Sequence, residues 1–211
     1  TSVYACKTAE TGNPNVGVVI VAYNTPELLE KAVKSVCEHV RAVLIVDNSP
    51  VDSECWQTSL RLEFEINNVY QHTVGKNIGH GPGLNIGVEI LNTRYIICMD
   101  SDAVLLDPSL ISDMITALDD KRVYGAGRVL RINDELDYLY LPFCMFKKKT
   151  FLKYSPFIHD GAPFIKTMLE IRGKLRLVQI PGFKKRINHT GRATREIAGH
   201  WRAGFGGKDG V

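Results

Sequence analysis

The chain has 211 residues, enough for one domain with a substantial core. At 45% hydrophobic and 23% charged residues it is an ordinary soluble globular composition, not a disordered or fibrous one. The formal net charge of +3 is too small to imply nucleic acid by itself, although it suits polyanionic ligands or an anionic membrane surface.

Five cysteines, Cys6, Cys37, Cys55, Cys98 and Cys144, are scattered and form no C-x-x-C pair. Neither a zinc site nor a disulfide framework is indicated, and a reducing compartment is the simpler inference. No apolar run is long enough to cross a membrane as a helix, and the N-terminus lacks the layout of a signal peptide. The expected location is cytoplasmic, with at most peripheral membrane contact.

Residues 1–15 are polar and read as a lead-in. Val16 to Ala22 is a continuous β-branched run, as expected of a buried parallel strand. Thr25 is positioned to cap a helix, with Pro26 at its first turn and Leu29, Val33, Val36 and Val40 at helical spacing. Ala42 to Val46 is a second strand, ending at Asp47. A loop follows, then a weaker strand over Asn68 to His72. Gly75 to Gly87 is glycine-rich and runs into a helix near 84–92. Tyr95 to Met99 is the fourth strand, and Asp107-Pro108 opens another helix. Further on, strands are expected over Val123 to Leu130 and Leu175 to Ile180, with a helix from Pro163 to Arg172. The tail from Lys184 is basic and glycine-rich. Strands and helices alternating in this way predict an α/β fold, with a mostly parallel central sheet flanked by helices.

The fourth strand stops at Asp100-Ser101-Asp102. Ligands of open α/β sheets bind at the carboxyl ends of the strands. Two hard oxygen donors this close suit Mn²⁺ or Mg²⁺, which can hold a diphosphate. Solvated acids in a turn are the alternative. Asp47 closes another strand and could accept from a base or a ribose, or simply shape its turn. The glycines of 75–87 would permit close backbone approach to phosphate, or mark a plain loop. They match neither the Walker A nor the dinucleotide fingerprint, since no Gly-Lys-Ser/Thr follows and Leu84 replaces the third glycine. His189 could ligate a metal or pack at the surface. Asp160 could be a base in an apolar loop, or a helix cap.

Together these residues resemble the GT-A nucleotide-diphospho-sugar glycosyltransferases, family 2 in particular. The blocks VVIVAYNTPELLEKAVKSV, VLIVDNSPVDS, NIGHGPGLNIGVEIL and YIICMDSDAVLLDP come in that family's order and cover roughly residues 16–115. The glycine segment has the flavour of rhamnosyltransferase-like members. LPFCMFKKKTFLKY and IRGKLRLVQIPGFKKRINHTG resemble the later strand–helix blocks less closely. His159 stands where the family usually has Glu before its catalytic Asp.

The resemblance implies a single GT-A domain over 1–211. Its nucleotide-sugar half would be 1–115, and its acceptor-side half with the basic tail 116–211. It implies Mn²⁺ or Mg²⁺ on Asp102, assisted by His189 and Asp100. Ala22, Tyr23, Asn24, Asp47, Lys76, Asn77, Asp100 and Ser101 would contact a nucleoside-diphosphate sugar, UDP- or dTDP-linked. Asp160 would be the base of an inverting transfer to a glycan, lipid-linked or protein-linked hydroxyl, with no nucleic acid involved. Arg192, Arg195 and Trp201 would fold over the diphosphate. The competing readings are a non-catalytic nucleotide-sugar-binding module and a sugar nucleotidylyltransferase. The second expects a basic glycine loop after the first strand, where this chain has AYNTPE.

Overall fold

The structure, a computed structural model, describes residues 12–133, 136–158 and 161–191. The first half follows the expected alternation. Strand β1 (Asn13–Ala22) leads to helix α1 (Pro26–Val36), and β2 (Val40–Asp47) to helix α2 (Glu54–Glu65). Strand β3 (Val69–Thr73), helix α3 (His80–Ile90) and strand β4 (Tyr95–Asp100) follow. The short strand β5 (Ala103–Leu105) precedes α4 (Ser109–Leu118). The second half contains β6 (Val123–Asn133), β7 (Leu136–Lys147), α5 (Lys148–Phe151), α6 (Ile165–Ile171) and β8 (Arg176–Gln179). It closes with α7 (Phe183–Arg186) and β9 (Ile187–His189).

The main sheet has seven strands in the order β3-β2-β1-β4-β7-β6-β8. All run the same way except β7, which is antiparallel to both neighbours. The expected mostly parallel sheet is therefore present. Side chains alternate across it, so each strand feeds two cores. Val18 and Ile20 face Leu29 and Val33 of α1, Leu62 of α2 and Met114 of α4. Val19 and Val21 face Leu84 and Val88 of α3, together with Phe164 and Met168 near α6. Burial on both faces explains why these strands are unbroken apolar runs.

Three local expectations change. The stretch after Asp47, read as a loop, holds helix α2, whose cap is Ser53 accepting from the Trp56 N–H (3.3 Å). Thr25 does not cap α1 with its side chain; its hydroxyl donates to Ser101 Oγ instead (3.1 Å). The glycine-rich segment is mostly helix, with α3 starting at His80 rather than near 84. A Cβ on Gly87 would lie 2.2 Å from Val19 Cγ1, and one on Gly83 would lie 2.9 Å from Val21 Cγ1. These two glycines let α3 lie directly on β1.

The expected basic tail is also structured at its start. Strand β9 pairs antiparallel with β5, placing His189 opposite Ala103. Arg186 fixes this return. Its guanidinium bonds Asp107 (2.9 Å) and Asp113 (2.6 Å) around the start of α4, and its carbonyl accepts from Leu106 N–H (2.8 Å).

Candidate metal and nucleotide site

The sheet register sets the carboxyl edge. Ala22 pairs with Asp47 and Val21 with Asp100, so β1, β2 and β4 end side by side. Beyond β4 the chain turns through Ser101 and Asp102 into β5. The β5–β9 ladder then carries His189 back over the two acids. His189 Nε2 lies 3.0 Å from Asp102 Oδ1 and 3.4 Å from Asp100 Oδ2. One ligand atom from each of the three residues falls within 4.8 Å of the others.

Tyr140 and Thr190 hold two of these ligands from behind. The Tyr140 hydroxyl lies 2.7 Å from His189 Nδ1. Thr190 Oγ1 donates to Asp102 Oδ2 (3.0 Å), leaving Oδ1 toward His189. Asp100 Oδ1 is buried and makes no bond of hydrogen-bond geometry, although His80 Nε2 stands 3.3 Å away. Burial by itself would lower the His189 pKa, but hydrogen bonds and charge from Asp100 and Asp102 outweigh it and raise it to about 9. Two carboxylates and an imidazole form a mixed oxygen–nitrogen donor set that fits Mn²⁺, and also accommodates Mg²⁺. An orphaned, buried carboxylate oxygen in the same cluster agrees with that fit.

The residues expected to contact the nucleotide sit at the ends of β1, β2 and β4 and on the β3–α3 loop. Ala22 and Asp47 are both completely buried. Asp47 Oδ1 accepts from the Ser49 N–H (2.8 Å), Oδ2 accepts from the Ser59 hydroxyl (2.7 Å), and its carbonyl accepts from Val74 N–H (2.9 Å). In this arrangement Asp47 braces the turn at the end of β2. The β3–α3 loop covers it, pinned by Asn48 Nδ2 donating to the Gly79 carbonyl (3.1 Å). Tyr23 and Asn24 are half-buried at the end of β1, and Lys76 and Asn77 are exposed on that loop. Asn24 has a left-handed backbone (φ 53°), with its N–H donating to Ser49 Oγ (3.0 Å). Asn77 Oδ1 caps the loop by accepting from Gly79 N–H (3.0 Å). Ser101 is buried and holds Thr25.

The sequence reading therefore found Asp100, Asp102 and His189, which the structure brings together. It missed Tyr140, Thr190 and His80. Thr190 follows His189 directly and could have been flagged by adjacency. Tyr140 is one aromatic among several in β7. Asp160, Arg192, Arg195 and Trp201 lie outside the described residues.

The profile of glycosyl transferase family 2 matches residues 17–171, most of the chain. The chain belongs to glycosyl transferase family 2. No curated protein sequence matches it. Among solved structures it is similar to the mannosyltransferase PcManGT of Pyrobaculum calidifontis, in complex with GDP-Man and Mn²⁺. That likeness has a TM-score of 0.67 at 17% identity, over 87% of this chain and 59% of the other. It is also similar to S. aureus TarS, with a TM-score of 0.57 at 11% identity, over 78% of this chain and 35% of TarS. At these identities the likeness is one of fold, and it identifies the sheet described above as the GT-A sheet. The chain spans 59% of the length of the first of these structures and 35% of the second. Among the described residues no helix is long and apolar enough to cross a membrane.

Proposed function

We propose that this family 2 domain transfers a sugar from a nucleoside-diphosphate donor to an acceptor hydroxyl, with inversion, using a divalent cation held by Asp100, Asp102 and His189. The observation that carries this reading is the triad itself: three ligand atoms on two chain segments within 4.8 Å at the carboxyl edge of a GT-A sheet. The donor complex of PcManGT with GDP-Man and Mn²⁺ supports the same assignment by analogy of fold.

When bound, the cation supplies positive charge that stabilises the leaving diphosphate. The chain's own residues do the rest. His189 holds its ring through Nδ1 on Tyr140 and directs Nε2 into the cluster. Thr190 fixes the Asp102 carboxylate. The nucleoside would lie on Tyr23 and Asn24, with Lys76 and Asn77 closing from the β3–α3 loop. Asp47 shapes this pocket from beneath. Asp160, assigned by resemblance alone, would take the proton from the acceptor hydroxyl as it attacks the anomeric carbon.

A thermal-shift panel of UDP, dTDP, GDP and CMP, each with and without Mn²⁺, tests the reading. Mass action raises the melting temperature for a ligand of the folded state. The expected outcome is stabilisation by one diphosphate that requires Mn²⁺ and disappears in Asp102→Asn. Absence of any shift in folded wild-type protein would defeat it. Transfer and slow donor hydrolysis separate an enzyme from a binding module. Asp160→Asn should abolish transfer while the donor still binds.

A further inference from the structure

We infer that the edge of the sheet opposite the metal triad carries a docking face for an anionic lipid surface, built on Lys149, Leu152 and Lys153 of α5 and the turn after it. The inference goes beyond the transferase reading and does not depend on it. The face lies where β7 ends, since Lys147 pairs with Tyr95, the first residue of β4. Asp100 stands at the other end of that six-residue strand, about 20 Å away at roughly 3.3 Å per residue.

The segment Lys147-Lys-Lys-Thr-Phe-Leu-Lys153 sorts its side chains inward and outward. Phe151 is buried, with its ring centre 5.0 Å from that of Phe146 and 4.9 Å from that of Phe157. Its neighbour Leu152 is left outside, 63% exposed. Lys149, Leu152 and Lys153 fall at positions i, i+3 and i+4, which share one face of a helical turn. Both lysines are exposed.

This turn is fixed to the body of the protein. Lys148 Nζ donates to the Glu89 carbonyl (3.0 Å) and the Leu91 carbonyl (2.7 Å) at the end of α3, and the Lys148 N–H donates to the Arg94 carbonyl (3.0 Å). Lys148 is thereby spent on structure. Its neighbours are presented on a backbone already ordered, so docking costs little conformational entropy there.

The charge of the face is positive. Arg94, Lys147, Lys148, Lys149 and Lys153 line one shallow groove of about 490 Å³ together with Leu152. The Arg94 guanidinium lies 5.0 Å from the Tyr95 ring centre, at the foot of β4. Two carboxylates stand nearby, Glu89 close to Lys148 and Asp119 close to Tyr95. Five cations around one exposed leucine outweigh them.

An anionic bilayer matches both parts of this composition. Its surface charge strengthens partitioning several-fold for each basic residue held within a Debye length. Its acyl boundary accepts Leu152, while the lysine stems lie along that boundary and keep their ammonium groups among the phosphates. A nucleic acid would use the cations alone. It gains from stacking on exposed rings, and the rings here, Phe151 and Phe157, are buried. Docked through this face, the protein turns the carboxyl edge and its metal triad away from the bilayer, toward the solution from which a nucleotide arrives.

The test is flotation of the 211-residue protein with phosphatidylcholine vesicles and with mixed phosphatidylcholine–phosphatidylglycerol vesicles at physiological ionic strength. The anionic vesicles should bind wild type about tenfold or more tightly than the neutral ones. Lys149→Glu combined with Lys153→Glu should erase that preference. Leu152→Ser should weaken binding several-fold with the charge intact. All of these positions are exposed, and an unchanged melting temperature shows that each variant folds. Equal binding to both vesicles, or to neither, overturns the proposal. So does a preference that survives the double variant, which would put the lipid contact elsewhere on the chain. A Leu152→Ser variant with full affinity overturns the lipid assignment and leaves a site for any polyanion; an oligonucleotide that wild type binds and the double variant does not would then identify a nucleic acid. Mn²⁺-dependent nucleotide stabilisation should be the same in wild type and double variant, so this proposal and the transferase reading fail separately.

Discussion

The Tyr140 hydroxyl meets His189 Nδ1 at 2.7 Å, and this contact decides which imidazole nitrogen is available to the acids. With Nδ1–H donating to Tyr140, Nε2 can hold either a proton between Asp100 and Asp102 or a cation in its place. The ring need not turn when one replaces the other. Partners of this kind typically change metal affinity by about 10–100-fold. Tyr140→Phe keeps the ring and removes the acceptor, so Mn²⁺ affinity measured by titration should fall within that range. An unchanged affinity would mean that the β5–β9 ladder alone orients His189.

The shared position of proton and cation gives a pH dependence of definite sign. The His189 pKa is raised from 6.5 to about 9 in the folded protein. A raised folded pKa means the folded state holds its proton longer than the unfolded chain. The stabilisation is complete below about pH 6.5 and is lost as pH rises through about 9. In metal-free protein the melting temperature should decline across that window, and the decline should be absent in His189→Gln. Mn²⁺ must displace the same proton, so the shift it produces should grow with pH over the same interval. A metal-induced shift that is flat with pH would argue against His189 as a ligand.

Gly87 is a packing residue in this fold. The Cβ of an alanine there would meet Val19 in the middle of β1, a strand that cannot move without disturbing both cores. Overpacking of this kind costs roughly 1–3 kcal/mol, and about 2–4 °C per kcal/mol in a domain of this size. Gly87→Ala should therefore lower the melting temperature by several degrees. A melting temperature equal to wild type would show that α3 lifts off the sheet at no cost.

The nucleotide half was legible because its strands are buried on both faces. Val16–Ala22 and Tyr95–Met99 then stand out as apolar runs, each stopped by the polar residues of the carboxyl edge. Helix α2 was not legible, because its buried positions are Cys55, Ser59 and Leu62, too polar and too few for a clear stripe. Composition alone does not distinguish a glycine that leaves space for a phosphate from one that, like Gly87, leaves space for Val19. Strands β5 and β9 are three residues each, shorter than any period can register. Asp102 and His189 were found as chemistry, but the ladder that joins them belongs to tertiary structure. Asp47 was legible as a strand-end acid, whereas its partner Ser59 belongs to the unseen helix.

The β5–β9 ladder has a kinetic corollary. Three residue pairs, with no further strand on either side among the described residues, make a weak clasp by themselves. The clasp joins segments far apart in the chain: Thr190 and Asp102 are separated by 88 positions. A cation shared by Asp102 and His189 would cross-link those segments much as a staple closes a long loop. Hydrogen exchange at the Ile187–His189 amides should then slow on adding Mn²⁺ while the β1 amides stay unchanged, making this short return strand a local reporter of occupancy in which order and ligation rise and fall together.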